Sequence, residues 1–195
     1  MKVISVLSRK GGVGKTLLSV GIAQVLGERG HRVALLDRDP EGSAMGWQHG
    51  AQAVGTALPY QVIGPIEATR LDRVEFLVVD TPPNDMRTLQ DTARQSHVLL
   101  VPLLPGAGEM DRLQETVQAL SKVELQDGVQ LGFVLNRLEH DNVSSAMKPA
   151  LEELGYPVVA QIRKAVDYQR AFGQLIPAHL TAPFREALTA LEVLE

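Results

Sequence analysis

The sequence predicts a single-domain, doubly wound α/β fold with a mostly parallel sheet flanked by helices. Three observations carry this. Short β-branched or leucine-rich runs alternate with helix-length segments. Those runs are apolar at nearly every position, as in parallel strands buried on both faces. A glycine-rich turn, Gly11-Gly12-Val13-Gly14, joins the first run to the first helical segment, where such a sheet opens its crevice. A length of 195 residues suits one domain with an ample core. No repeat, linker or low-complexity segment divides it, so residues 1–195 read as one unit.

The first strand is Val3–Leu7. Leu17, Leu18, Ile22, Val25 and Leu26 then place an apolar stripe on one helix face, with Gly30 as its cap. Arg32–Leu36 is the second strand. Residues 48–70 carry little periodicity, apart from Tyr60–Ile63, which fits an extra edge strand. Phe76–Val79 and Val98–Val101 follow as strands, and Leu113, Val117 and Leu120 mark a helix. Val129–Leu135 is a further strand. Met147, Leu151 and Leu154 mark a helix that ends at Gly155. Val158–Ile162 is the last strand, and a final helix after Pro183 carries Ala187, Leu188 and Leu191.

Composition narrows the function classes. Hydrophobic residues at 45% and charged residues at 22% are ordinary for a globular domain. There is no cysteine, which excludes disulfides and cysteine-held iron–sulfur clusters. The apolar run Val98–Leu104 contains a proline and is far shorter than the ~18 residues of a membrane span. The run Val3–Leu7 is too short for a secretory signal, so the expected compartment is the cytoplasm. A net charge of −4 offers no global attraction to nucleic acid, and any such binding needs a local patch. The five histidines (31, 49, 97, 140 and 179) lack metal-ligand spacing and read as surface or structural. Trp47 reads as packing, and Glu152-Glu153 as a solvated helix face.

Arg9-Lys10-Gly11-Gly12-Val13-Gly14-Lys15-Thr16 sits between the first strand and the first helix. Glycines let backbone N–H groups turn toward an anion, and the helix start adds its positive dipole end. Lys15 would reach the β- and γ-phosphates of a nucleotide, and Thr16 would ligate Mg²⁺. The usual P-loop glycine falls on Arg9 instead, and a second lysine, Lys10, precedes the glycine pair. The plain alternative is a glycine-rich turn with two solvated lysines.

Two acidic strand ends follow. Leu35-Leu36-Asp37-Arg38-Asp39-Pro40 brings Asp39 to the crevice, where it can orient a water or hold the Mg²⁺ shell. Asp and Pro are also common turn residues. Phe76-Leu77-Val78-Val79-Asp80-Thr81-Pro82-Pro83 delivers Asp80 to the metal, through water, since Mg²⁺ sheds its hydration reluctantly.

The K-G-G-x-G-K-[ST] loop resembles the deviant Walker A loop of the ParA/MinD ATPase group, a branch of the P-loop NTPases. D-x-D-P at Asp37, Asp39 and Pro40 is similar to that group's D-x-D-P-Q, with Glu41 in place of glutamine. D-T-P-P at Asp80–Pro83 is similar as well. By this resemblance Gly11, Gly12, Val13, Gly14, Lys15 and Thr16 hold ATP, and Thr16, Asp39 and Asp80 hold Mg²⁺. Lys10, Lys15 and Asp39 serve catalysis, Lys10 reaching the nucleotide of a partner subunit. Asn136 matches the strand-end asparagine that bonds adenine. An amide both donates and accepts, as adenine's edge requires, although a strand-ending turn also favours Asn.

Residues 162–176 resemble the group's DNA-contacting region, with Arg163, Lys164 and Arg170 as its cations. Leu103–Asp111, with Pro105-Gly106-Ala107-Gly108, has its own sequence. The resemblance implies a short, plasmid-type ParA-like partition ATPase lacking the N-terminal DNA-binding extension. Its partners would be a second copy bound through ATP, a ParB-like centromere-binding protein, and non-specific DNA on the nucleoid. A MinD-like positioning ATPase is the alternative. Against it, the terminal Phe184–Glu195 carries Glu186, Glu192 and Glu195 against Arg185, a charge that opposes anionic membranes. A small-molecule ATP-dependent ligase on the same scaffold is the other.

Overall fold

The structure, a computed structural model, describes residues 1–67, 71, 73–106 and 108–194. Strands β1 (Lys2–Val6), β2 (Val33–Asp37), β3 (Gln61–Ile63), β4 (Phe76–Asp80), β5 (Val98–Leu103), β6 (Gln130–Leu138) and β7 (Val158–Arg163) form one sheet, ordered β3-β2-β4-β1-β5-β6-β7. Every neighbouring pair is parallel. The expected edge strand is present as β3.

The strands are buried on both faces, and alternation along each divides the core in two. Ile4, Val6, Leu35, Val78 and Leu100 pack on one side against helices α1 (Lys15–Glu28), α2 (Ser43–Ala53), α6 (Val166–Arg170) and α7 (Ala182–Ala190). The opposite side carries Leu7, Leu99, Val101, Phe133 and Leu135, under α3 (Met86–Arg94), α4 (Glu109–Leu120) and α5 (Asn142–Glu153). β1 leads to α1 on one face and the adjacent β4 leads to α3 on the other. The crevice therefore opens at the carboxyl ends of β1 and β4.

Several bounds differ from the sequence reading for physical reasons. β5 runs on through Pro102. The Leu100 carbonyl accepts the Leu7 N–H (2.9 Å), so Pro102, two residues on, faces the same side beyond the end of β1. Its missing N–H removes no ladder bond. β6 extends past Leu135 through Asn136 to Leu138 over a register shift, with Arg137 at φ 55°. Leu154 is exposed, because α5 ends before it and Met147 and Leu151 alone reach the core. α7 starts at Ala182, with Pro183 in its first turn, where a missing N–H is tolerated. No helix among the described residues is long and apolar enough to cross a membrane.

Candidate functional site

The glycine-rich loop wraps the end of β1. Gly12 and Gly14 take left-handed φ of 74° and 97°, which turns successive N–H groups inward as an anion cradle. Lys15 opens α1 and is 7% exposed, its Nζ donating to the Lys10 carbonyl at 3.0 Å. Burial pushes the Lys15 ammonium below its ordinary pKa, while the carboxylates of Asp80, Asp39 and Glu41 pull it upward. The cradle thus holds a desolvated cation within electrostatic reach of three acids.

Asp80 ends β4 at 1% exposure. Thr16 donates to its Oδ2 at 2.7 Å and Ser19 to its Oδ1 at 3.2 Å. Thr16 and Ser19 lie on one face of α1, a turn apart. Burial pushes the Asp80 carboxyl up to about 7. The Thr16 donor opposes this, neighbouring Asp37 adds to it, and Ser19 and Lys15 oppose it again. A buried, oxygen-rich pair of acids beside a hydroxyl suits a hard cation such as Mg²⁺, whose charge would relieve that burial.

Asp39 is half-buried beyond the end of β2, and its Oδ1 accepts the Glu41 N–H at 3.0 Å. Asp37, which sequence reasoning did not select, is the buried member of the pair at 4% exposure. Its carboxylate accepts from the Asp39 N–H (3.0 Å) and from Met45 N–H (2.9 Å) in the first turn of α2, so it positions Asp39 and α2. The segment after β4 is tied to the loop by Asn84 N–H donating to the Arg9 carbonyl (2.9 Å), with the Pro83 side chain 3.7 Å from where a Gly11 Cβ would stand.

Asn136 is 2% exposed in β6. Its Nδ2 donates to the Val13 carbonyl at 2.8 Å and its Oδ1 accepts Arg137 N–H at 2.8 Å, so it braces the loop from the far side. A cleft of about 260 Å³ adjoins Gly14 and Asn136, with Trp47, Tyr168 and Phe172 among its walls. Trp47 packs as expected, its Nε1 donating to the Gln174 carbonyl (2.8 Å) and its ring 5.3 Å from Phe172.

Of the three expected DNA-facing cations, Arg163 and Lys164 line this cleft, while Arg170 lies outside it at the end of α6. Each has a partner: Arg163 with His140 (3.0 Å), Lys164 with Glu139 (2.6 Å) and Arg170 with Asp167 (3.3 Å). Lys10, unlike Lys15, is partly exposed. Its ammonium pairs with Glu109 at the start of α4, and Arg9 pairs with Glu115 at 2.8 Å. Sequence reasoning missed Ser19, Asp37, Glu109 and Glu115. The spacing of Thr16 and Ser19 could have flagged Ser19, and the D-x-D-P motif contains Asp37; nothing local marks Glu109 or Glu115. No cluster of three or more His, Cys, Asp or Glu suited to a metal occurs among the described residues.

A phosphate cradle at the switch point of a doubly wound parallel sheet, with an acid on the neighbouring strand, defines a P-loop nucleotide-binding domain. Comparison narrows the class. The family model "CobQ/CobB/MinD/ParA nucleotide binding domain" matches residues 4–177. The Gloeobacter kilaueensis protein called maintenance of carboxysome distribution protein A is 34% identical over 178 residues, 87% of this chain and 80% of that one. Among solved structures, a Cyanothece McdA complex with ATP aligns with a TM-score of 0.78 at 18% identity, covering 100% of this chain and 98% of that one. A Borrelia burgdorferi protein assigned to plasmid partition, bound to AMPPNP, aligns with a TM-score of 0.81 at 14% identity, covering 99% of each chain. The chain belongs to the ParA/MinD nucleotide-binding family.

Proposed function

We propose that this chain is a ParA-like ATPase that pairs through MgATP, binds DNA without sequence preference and is released when a ParB-like partner stimulates hydrolysis. The observation that carries the reading is the divergence of the two loop lysines. Lys15 is buried inside the cradle, where it would meet the phosphates of its own ATP. Lys10 stands partly exposed at the rim, its ammonium paired with Glu109 of α4. A rim lysine is suited to the nucleotide of a second copy, where charge builds up during phosphoryl transfer.

The remaining parts have chemical work. Thr16 and Asp80 would hold Mg²⁺, which when bound neutralises the phosphate oxygens. Asp39 would orient the attacking water from its half-exposed position beside the cradle. The aromatic cleft at Gly14 is suited to the base, and Asn136 has a second amide proton to offer beside the one given to Val13.

Arg163, Lys164 and Arg170 supply the DNA contacts, and dimerisation doubles their number. Their present partners sit in exposed pairs, which contribute little and are readily exchanged for phosphate. The transported cargo is DNA held by the ParB-like partner. The carboxysome-distribution relative favours a second reading, in which what is distributed is a carboxysome-type body rather than DNA.

Light scattering and a duplex mobility shift test this together. With MgATP, wild type should dimerise and retain any duplex, with retention falling steeply as salt rises. Lys10→Ala should bind ATP yet lose dimer and DNA retention. Absence of ATP-dependent retention at low salt would remove the DNA role. A Lys10→Ala protein that pairs normally would remove the role given to Lys10.

A further inference from the structure

Both cations preceding the glycine pair are held by one helix. Lys10 pairs with Glu109, the first residue of α4, and Arg9 with Glu115 further along it. The two pairs differ in burial. Side-chain exposure is 26% and 10% for Lys10 and Glu109, against 35% and 54% for Arg9 and Glu115. The second pair is open to water and weakly held, whereas the first is shielded and resists separation. The helix presenting Glu109 is itself fixed. Leu113 and Leu120 are buried in the core beneath it, and Glu109 N–H donates to the Gly106 carbonyl at 3.1 Å. Glu109 falls within Leu103–Asp111, the segment that has its own sequence.

We infer that Glu109 is a positioning residue that latches Lys10 within its own chain, and that the latch must open before Lys10 can reach a second molecule. The inference rests on the proposed role of Lys10 in ATP-dependent pairing. One ammonium cannot be paired with Glu109 and also extend to phosphates on another chain. The latch therefore opposes association once in each protomer, and it sets the protein concentration at which ATP can drive pairing. The γ-phosphate of a facing nucleotide competes with the Glu109 carboxylate for the same cation.

Glu109→Gln keeps the side-chain shape and a hydrogen-bond acceptor while removing the charge. In MgATP the variant should dimerise at a protein concentration about tenfold lower than wild type, the scale of one weakened charged contact. Its nucleotide-free form should melt lower, because it loses both the ion pair and a negative charge at a helix N-terminus. A merely structural glutamate would lower melting temperature and dimer affinity together; opposite signs distinguish a latch. Glu115→Gln should shift dimerisation much less.

A second measurement uses the wild type alone. Amine acylation followed by mass spectrometry should label Lys10 of the nucleotide-free protein more slowly than exposed Lys122. Equal labelling rates, or a Glu109→Gln protein that pairs no more tightly than wild type, would overturn the latch. If Lys10→Ala pairs normally with ATP, the underlying reading fails instead. The labelling ratio then still reports whether Glu109 holds Lys10.

Discussion

Gly14→Ala tests how tightly β6 and the phosphate loop are coupled. A Cβ at Gly14 would stand 2.1 Å from Asn136 Nδ2 and 3.3 Å from its Cγ, on a backbone with φ of 97°. The left-handed backbone alone costs about 1–2 kcal/mol for a residue with a side chain. The Asn136 amide must also move, which breaks its bond to Val13 and disturbs the one to Arg137, at about 1 kcal/mol net each. The single variant should therefore lose about 2–4 kcal/mol.

Asn136→Ala loses the same two bonds without the strain, about 2 kcal/mol. In the double variant these bonds are lost only once and the clash is gone. The two single effects should thus exceed the double by about 1–2 kcal/mol, a non-additivity expected of groups in direct contact. Urea denaturation of the four nucleotide-free proteins measures this coupling. Additivity within about 0.5 kcal/mol would refute the claim that Asn136 braces the loop through Gly14.

Asp39→Ala should retain ATP affinity by calorimetry and lose turnover, since Asp39 makes no bond to Thr16 or Lys15 but stands within electrostatic reach of the cradle; wild-type hydrolysis would make it a turn residue only. Asp80 should give the metal-free protein a proton-linked stability profile. Its folded pKa of about 7 lies above the ordinary aspartate value of 3.8, so folding takes up a proton between these values. The favourable contribution is full below pH 3.8 and is lost as pH rises through about 7. Asp80→Asn should remove this slope and melt higher than wild type at pH 8 without Mg²⁺, whereas parallel melting profiles from pH 4 to 8 would contradict a raised Asp80.

The strands, their order of appearance and the loop were legible in the sequence because their chemistry is local. A run such as Phe76–Asp80 encodes both the burial of a strand and the delivery of its terminal acid. Gly11 to Thr16 likewise encode a cradle and a helix start within a few residues. The parts that only tertiary structure decided join distant elements. Asn136 meets Val13 across 123 positions, and the contact depends on the bulge that turns β6 at Arg137. Lys10 meets Glu109 because α4 packs beside the loop, a placement set by the sheet order rather than by either residue's neighbours. Arg163 and Lys164 form a cationic pair in the chain, yet β7 carries both to the aromatic cleft. Asp37 and Asp39 alternate in sequence without indicating which is buried; the register of β2 on β4, pairing Asp37 with Asp80, makes that choice. Local pattern specifies which groups exist at a strand end, and packing of the sheet specifies which of them meet.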